Sequence, residues 1–450
     1  MKIVELSRSQ FEEFANNHPL RNHYQSYNYG QLLSEYYFEY YLIGYVDNND
    51  SIKAASLILT NKVTKIWNYA YAPKGYLIDY NDEGLVKSFT HDLKKYLKSK
   101  RVVMLKINPE IIIGEIREEN NFQTVYNDNV KIANMLAKYD YVKLRNNLYF
   151  EAQQPRFNMI INLTEFKGIA QLKKNVRNKI YKSERRGLYI QMGGIDDIEP
   201  FFNLIKEKKP DKKIEYYRDY YNVFNRDKQI DIILVKVDYE KYLISAQQRY
   251  NEELSRNESL IEELQKTQDE KVLARKMQSD HDLASFKSDI VRSSKNIGQE
   301  NTMLVAAAYV IKYTNRAYIL FSSYSEQLKF LNAYHYLHYK IIEYYKNLGF
   351  DSLDMNGMTG DFTKKNPFNG LNQFKLGFNP VVYEYIGEFD LMLKKRKYRE
   401  LDKQAVLARV FNKPWEKKGA LNEKGEIVEV LEVFEDSVIP KVEDTKKMDE

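Results

Sequence analysis

The sequence predicts a mixed fold of strands and helices, α/β or α+β, with a long helical segment inserted in it. Short runs rich in Val, Ile and Leu alternate with amphipathic helical patterns from the start of the chain, and residues 239–297 are densely charged and contain no proline. The 450 residues, 43% of them hydrophobic, are enough for two or three domains with real cores. A chain that is disordered throughout is excluded.

The elements follow from local patterns, taken in chain order. Residues 52–59 and 102–107 are apolar runs that predict strands, and 86–98 carries apolar residues at helical spacing. A second unit of this kind begins near Pro155. Its predicted elements are a strand at 157–163, a basic helix at 168–186, a strand at 188–192, helices at 201–208 and 216–225, a strand at 230–237, a strand pair at 303–312 and 317–321, a helix at 325–348, a strand at 351–355, and one or two strands within 380–393.

The inserted segment, 239–300, has apolar residues three, four or seven apart in each half, and a polar stretch at 266–271 separates the halves. This pattern predicts two helices folded back on each other as an antiparallel coiled-coil hairpin, and one long helix is the alternative. Such a hairpin would be an arm for a partner or for tRNA, or else an inert spacer or dimerisation element.

Charge is distributed unevenly along the chain. The whole sequence has 69 Lys and Arg against 63 Asp and Glu, yet residues 415–450 contain 11 acidic and six basic side chains. The body is therefore basic and carries an acidic tail at 414–450, which we expect to be weakly ordered. A basic body favours an anionic partner such as nucleic acid, nucleotide phosphates or anionic lipid, although solubility alone also accounts for it.

Some classes of site are excluded by composition. Because the sequence has no cysteine, it contains no disulfide, thiolate zinc site or cysteine nucleophile. No apolar signal region follows Met1, and the longest apolar run, 303–311, is far shorter than the roughly 20 residues that span a bilayer. We therefore expect a cytoplasmic protein that is at most peripheral to the membrane.

Two segments are candidates for chemistry. The basic helix contains Lys174, Arg177 and Arg185, which could grip phosphates or form a solvated face. The segment 369–378 places Lys375 between an aromatic residue and a Gly-Phe pair, where a desolvated lysine could act on developing negative charge. By itself this segment predicts a turn with a surface lysine. His335 and His338 lie three apart on one helix, but without an interleaved acidic residue they predict a structural role.

Four segments in order resemble those of the FemABX family of non-ribosomal peptidyltransferases. The first, 67–80, contains Pro73-x-Gly75-x-x-Ile78-Asp79-Tyr80, and the second is the basic helix at 172–188. The third is the helix 334–349 leading to Asp354-x-x-Gly357-x-x-Gly360. The fourth is Phe374-Lys375-x-Gly377-Phe378 followed by Tyr385-Ile386-Gly387-Glu388-Phe389. The resemblance covers roughly residues 1–400, and the inserted hairpin is similar to that of the Fem-type and MurM-like members.

The resemblance implies an α+β fold with two tandem acetyltransferase-like (GNAT) subdomains and a helical arm. The first subdomain would be 1–150, completed by about 386–413, and the second would be 151–238 with 301–385. The implied reaction moves glycine, alanine or serine from aminoacyl-tRNA to the stem-peptide lysine of lipid II, or of UDP-MurNAc-pentapeptide. It would take place at the inner face of the membrane, beside homologous aminoacyltransferases, and neither cofactor nor metal is predicted.

The resemblance also implies roles for individual residues. Lys375, with Phe374 beside it, would act on the tRNA end and the transition state. Where the family often has Ile-Asp-Pro this chain has Ile107-Asn108-Pro109, so Asn108 could orient substrate but could not act as a base. The further substrate-binding residues implied are Lys212 or Lys213, Tyr217 and Tyr318. Leu33 stands where the family has a precursor-binding lysine.

Two other functions stay open at this point. A catalytically degenerate homologue would bind tRNA, a precursor or a partner through the hairpin, and the residues at positions 33 and 108 favour it. A conventional acetyltransferase is disfavoured because the sequence has no coenzyme A loop of the Arg/Gln-x-x-Gly-x-Gly/Ala type.

Overall fold

The computed structural model describes residues 1–150, 153–267, 269–298 and 301–407. The predicted acidic tail, 414–450, lies outside these residues. The described strands are β1 (Lys2–Glu5), β2 (Glu39–Val46), β3 (Ile52–Lys62), β4 (Asn68–Ala72), β5 (Val102–Ile107), β6 (Ile112–Ile116), β7 (Thr124–Tyr126), β8 (Tyr141–Lys143), β9 (Phe157–Asn162), β10 (Leu188–Gly193), β11 (Ile230–Asp238), β12 (Thr302–Tyr313), β13 (Arg316–Tyr324), β14 (Ser352–Met358), β15 (Val381–Tyr385) and β16 (Phe389–Met392). The α-helices are α1 (Arg8–Asn17), α2 (Tyr27–Ser34), α3 (Glu83–Ser99), α4 (Val130–Ala137), α5 (Lys174–Arg185), α6 (Ile198–Ile205), α7 (Ile214–Asn225), α8 (Tyr239–Thr267), α9 (Glu270–Ser294), α10 (Ala333–Asn347), α11 (Asn369–Leu376) and α12 (Lys395–Lys403).

The strands form two mixed sheets. A seven-stranded sheet has the order β1-β2-β3-β4-β5-β16-β8, and a nine-stranded sheet has the order β10-β11-β12-β13-β14-β9-β15-β6-β7. Each sheet contains one parallel pair, β4 with β5 and β13 with β14. In both cases a helix, α3 or α10, connects the two parallel strands, as a parallel connection requires.

Sheet membership does not follow the expected subdomain boundary at residue 150. Strands β6 and β7 pair within the nine-stranded sheet, β6 directly with β15. In return, β16 comes from beyond residue 385 and pairs with β5 and β8 in the seven-stranded sheet. Exchange of strands in both directions ties the two halves together.

The two parallel pairs differ in how far they extend. The β4–β5 pair extends from Asn68 to Ala72, the whole of β4, with one register shift between Asn68 and Ala70. The β13–β14 pair is registered only over Arg316–Tyr318 against Ser352–Asp354, although both strands continue beyond. The two strands therefore separate just after Asp354, and a bulge between Asp354 and Gly357 accompanies the separation on the β9 side of β14.

The long helices α8 and α9 leave the sheet where β11 and β12 meet, with Asp238 paired to Thr302. They lie against each other, and the Asn257 side chain donates to Ser279 and Asp280 across the contact. At the base, the buried carboxylate of Asp289 accepts hydrogen bonds from Arg186 and from the hydroxyl of Tyr242. An insertion at the junction of two paired strands leaves the sheet intact.

Most predicted elements appear within a few residues of their expected ends, but three predictions need correction. The helix expected at 325–348 starts at Ala333 as α10, because a separate 3₁₀ segment occupies Glu326–Leu331. The segment 369–378, expected to be a turn, contains the helix α11, and Lys375 on it is buried rather than at the surface. The basic helix, expected at 168–186, starts at Lys174 as α5 and buries Val176, Ile180 and Ser183 on one face.

Candidate active site

The glycines of the sequence motifs are needed for close packing. A Cβ atom on Gly357 would lie 2.3 Å from the Pro155 ring, and one on Gly360 would lie 2.3 Å from the Phe157 ring. A Cβ on Gly377 would lie 2.4 Å from Val176 of α5. These distances are too short for any other residue, so the glycines let β14, α11 and α5 approach one another around Lys375.

Lys375 is held beneath β14 just past the point where β13 and β14 separate. Its side chain is only 7% exposed, and Nζ donates to the carbonyl oxygens of Asn356 at 3.0 Å and Gly357 at 2.6 Å. Burial lowers the pKa of Lys375 to about 8, against the opposing effect of the Asp354 carboxylate. The ammonium group has a third N–H bond, which neither of these carbonyls uses.

Phe374, the neighbour of Lys375, forms a wall of one cavity. Its ring stacks on Tyr334 with centroids 4.7 Å apart and meets the edges of His335 and His338. The cavity measures about 540 Å³, and Lys179 and Lys329 are also in its lining. We call it the aromatic cavity. Its stacked rings and two cations suit a ligand that combines a flat π system with phosphate.

A second cavity, of about 580 Å³, lies along the neighbouring strands. Its charged and aromatic lining consists of three carboxylates, Glu110, Asp351 and Asp354, two arginines, Arg21 and Arg316, and three tyrosines, Tyr318, Tyr383 and Tyr385. Tyr318 and Asp354 are paired across β13 and β14 at the last registered position. We call this the carboxylate cavity. Lys375 thus lies between the two cavities, with its neighbour Phe374 in one and Asp354 in the other.

Two carboxylates of the second cavity, buried Asp354 and half-buried Glu110, are hydrogen-bonded. Asp354 is 8% exposed, and it accepts from the Asn158 side chain at 2.9 Å and from the Asn356 backbone at 2.6 Å. Glu110 accepts from Asn22 and from the hydroxyl of Tyr385. Burial, followed by the charge of Glu110, raises the pKa of Asp354, because both effects disfavour its ionised form.

Two further buried groups lie against this cavity. Lys74 is 4% exposed, and its Nζ lies 4.6 Å from the centre of the Tyr385 ring. Burial lowers the pKa of Lys74, and the charges of Glu110, Asp354 and Glu388 oppose that shift. His23 contacts the Tyr318 ring edge-on at 4.6 Å, and among the described residues neither of its ring nitrogens has a hydrogen-bond partner. Burial lowers the pKa of His23 to about 3, so the ring is neutral at physiological pH.

The predicted substrate-binding residues are widely separated. Asn108 is buried at the end of β5, where its side-chain oxygen accepts from the Lys74 backbone at 2.8 Å, so it supports the turn that carries Lys74. Tyr217 is fully buried among aromatic rings, and no face of its ring is open to a substrate in this structure. Lys213 is exposed at the start of α7, and Lys212 lies over the Tyr216 ring. Of this group, Tyr318 is the residue in the lining of the carboxylate cavity.

The predicted phosphate-binding residues lie on the outer face of α5. Lys174 and Arg185 are exposed, and Arg177 donates to the backbone carbonyls of Ala170 and Leu172. From the same helix it is Lys179 that lines the aromatic cavity, with its Nζ 3.2 Å from the His335 ring. Helical spacing could have identified it, since residue 179 shares a face with buried Val176 whereas residue 174 does not.

Sequence reasoning gave no role to Glu110, Lys74 or Asp354, although two of these belong to motifs that were recognised. Lys74 lies within the Pro73-x-Gly75 segment, and Asp354 opens Asp354-x-x-Gly357. Glu110 lies two residues after Asn108, and Asn108 was the residue singled out there because it replaces the family's aspartate. A charged residue inside an apolar, glycine-containing motif was the available signal.

None of the helices in the described residues is long and apolar enough to cross a membrane.

Comparison with known proteins identifies the family. The FemAB family model matches residues 6–403. Lipid II:glycine glycyltransferase of Staphylococcus epidermidis is 22% identical, covering 90% of this chain and 95% of that protein. Aminoacyltransferase FemB of the same species is 26% identical (88% and 96%), and aminoacyltransferase FemA of Staphylococcus aureus is 22% identical (88% and 97%).

The crystal structure of FemX has the same fold. It superposes with a TM-score of 0.69 at 17% identity, covering 89% of this chain and all of the FemX chain. The mixed two-sheet architecture is thereby shared with a solved member, and the predicted transferase class agrees with the names of the relatives. Because the family model spans nearly all of the described residues, the resemblance seen in the sequence is confirmed: the chain belongs to the FemAB family.

Proposed function

We propose that this protein is an aminoacyltransferase that builds the interpeptide bridge of peptidoglycan. It moves glycine, alanine or serine from aminoacyl-tRNA to the stem-peptide lysine, or to a growing branch, of lipid II or UDP-MurNAc-pentapeptide. The observation that carries the proposal is the position of Lys375, buried at the separated strands between two cavities of different chemistry. The names of the relatives, a lipid II:glycine glycyltransferase among them, support this substrate class.

The aromatic cavity suits the donor. The terminal base of a tRNA can stack on rings such as Phe374 and Tyr334, because every base has a π face. Lys179 and Lys329 would meet the phosphates next to that base. Lys174, Arg177 and Arg185 would extend the positive surface along the outer face of α5 toward the rest of the acceptor stem.

The carboxylate cavity suits the acceptor. A lysine side chain ends in an ammonium group with a pKa near ~10.4, so it is cationic when it binds. Asp354 is buried and Glu110 half-buried, and their carboxylate oxygens attract a cation more strongly there than in water. Tyr318 and Tyr385 give this cavity aromatic walls on which the aliphatic part of that side chain can lie.

The reaction is aminolysis of an ester. The acceptor ammonium first loses a proton, and its nitrogen then forms a bond to the ester carbonyl carbon, which makes a tetrahedral oxyanion. Lys375, cationic below about pH 8, stabilises this oxyanion through its third N–H bond. The bond from carbon to the ribose oxygen then breaks. One of the two protons on the attacking nitrogen passes to that oxygen, and the other stays on the amide.

The same proposal includes partners and location. The protein would work in the cytoplasm, peripheral to the inner face of the membrane where lipid II is made, and beside homologous aminoacyltransferases. Helices α8 and α9 would form a coiled-coil arm for tRNA or for such a partner. The predicted division into two GNAT-like subdomains belongs to the proposal as well, with the strand exchange joining them.

The test combines purified protein, a lipid II analogue, and tRNA charged separately with labelled glycine, alanine or serine. We expect label from one of these donors to appear on the stem-peptide lysine. A parallel reaction contains lipid II that already carries one residue, because an enzyme that extends branches would ignore the bare precursor. Absence of transfer to both acceptors, with tRNA or lipid II still bound, would contradict the proposal and favour a binding protein that has lost catalysis.

A further inference from the structure

The proposed reaction needs a group that removes a proton from the acceptor, and Asn108, at the position where the family often has aspartate, cannot do so. Other carboxylates are close to it. Glu110 lies two residues beyond Asn108, and Asn108 accepts a hydrogen bond from the Lys74 backbone. The charges of Glu110, Asp354 and Glu388 raise the pKa of Lys74 against the effect of its burial, so all three carboxylates are near that lysine. Of these three, Glu110 and Asp354 line the carboxylate cavity. The cavity thus has two acids without the family's aspartate, Asp354 buried and Glu110 half-buried.

We propose that Asp354 accepts the proton of the acceptor ammonium group in the carboxylate cavity, while Glu110 holds that ammonium group in place. The inference rests on the proposed function, and it assigns a catalytic residue to it. In the step, one N–H bond of the ammonium breaks, its electron pair stays on nitrogen, and the proton moves to a carboxylate oxygen of Asp354. The neutral amine then attacks the aminoacyl ester that enters from the aromatic cavity.

Position separates the roles of the two acids. Asp354 is the last residue of β14 that pairs with β13, and Lys375 binds the carbonyls two and three residues further on. The charge of the Asp354 carboxylate raises the pKa of Lys375, against the lowering caused by burial. The proton acceptor therefore lies on the same short stretch of β14 that the oxyanion stabiliser contacts from α11, so the two groups are close together.

Hydrogen bonding supports the same division. Glu110 accepts from Asn22 and from the hydroxyl of Tyr385, and these two donors fix the position of its carboxylate. Asp354 is buried beside that charge, so its pKa is raised and its basicity is higher than that of an ordinary aspartate. The charged and titratable groups around Asp354 and in the lining of its cavity come from several elements and are Arg21, Tyr24, Lys74, Glu110, Arg316, Tyr318, Asp351, Lys375, Tyr383 and Tyr385.

The test compares Asp354→Asn with Asp92→Asn, a control on the surface helix α3. We expect Asp354→Asn to lower kcat at least about 100-fold, within the range for loss of a general base, and to remove the acidic limb of the pH profile. An acceptor whose lysine amine is replaced by an aminooxy group, neutral at pH 7, should restore turnover in Asp354→Asn. Glu110→Gln should raise KM for the lysine acceptor more than it lowers kcat.

A structural role for Asp354 predicts otherwise: the pH profile of the residual activity keeps its shape, and the aminooxy acceptor does not restore turnover. Either result overturns the inference and leaves the proposed function standing. Binding is measured in parallel with a lysine stem peptide and its ε-acetylated form. If wild-type protein transfers no amino acid from any donor, the proposed function fails. The amine site is still supported if wild-type protein binds the free lysine peptide more tightly than the acetylated one and Asp354→Asn loses this preference. It is overturned if wild-type protein binds the two peptides equally.

Discussion

The two parallel strand pairs of this molecule are built alike and differ at one point. In each, a helix connects two parallel strands, α3 between β4 and β5 and α10 between β13 and β14. The first pair continues to the end of β4, through one register shift, whereas the second separates after three residues. Asp354, the last paired residue, lines the carboxylate cavity, and Lys375 contacts β14 just beyond it, so the closed pair supports the fold and the open pair provides the site.

The closed pair still contributes to the site through the segments just beyond its strands. Lys74 comes after β4 and Glu110 comes after β5, and Asn108 connects the two segments by accepting from the Lys74 backbone. Carboxyl ends of adjacent parallel strands lie at the same edge of a sheet, so both groups reach the carboxylate cavity. The comparison therefore predicts that changes at the open pair alter turnover, and that matched changes elsewhere do not.

The largest effect is expected at Lys375. Lys375→Met should lower kcat about 100- to 1,000-fold, the cost of removing one stabiliser of an oxyanion. Folding at neutral pH should change little, because loss of a buried cation relieves a desolvation cost while two carbonyls lose their donor. Lys98→Met, at an exposed position of α3 beside the closed pair, is the control and should keep full turnover. Equal turnover in the two variants would remove Lys375 from the mechanism.

The burial of Lys375 should also make stability depend on pH. Its pKa is about 8 in the folded protein against ~10.4 for an unfolded lysine, so between these values the unfolded chain binds more protons. The free energy of unfolding should therefore rise with pH in this window, by up to about 3 kcal/mol in total. Denaturant titrations of wild type and Lys375→Met at pH 7.5 and 9.5 measure the difference. Parallel pH dependence in both proteins would mean that Lys375 titrates normally.

The sequence predicted β5, β13 and β14 but not β4, and it did not predict the difference between the two pairs. Apolar runs such as Val102–Ile107 identify strands buried on both faces, and they did so here. The separation of β13 from β14 depends on long-range packing, with Gly357 against Pro155 and Gly377 against Val176, which no local pattern contains. For the same reason Lys375 was expected at the surface until the family resemblance suggested otherwise. Asp354, Glu110 and Lys179 become site candidates only when strands distant in sequence are brought together.

A smaller effect should follow from closing the space around α11. Gly377→Ala would place a methyl group 2.4 Å from Val176, and overpacking of this kind costs about 1–3 kcal/mol. Gly370→Ala is the matched control on the same helix, since a Cβ there meets nothing within 4 Å. It should be neutral or stabilise the protein by up to about 1 kcal/mol, because alanine favours helix over glycine. Denaturant midpoints of the two variants give the comparison, and equal midpoints would contradict the packing argument.

The smallest effect is expected from single cations of the aromatic cavity. Lys179→Gln should weaken tRNA binding severalfold and reduce the slope of log affinity against log salt by about 0.7–0.9, the value for one phosphate contact. Lys182→Gln, an exposed position on the same helix, should change the slope less if the aromatic cavity holds the tRNA end. The combined neutralisation of Lys174, Arg177 and Arg185 then measures the outer face of α5. If the triple variant has a smaller slope of log affinity against log salt while Lys179→Gln keeps the wild-type slope, the phosphate contacts are on the outer face of α5. The aromatic cavity then loses its assignment as the donor site.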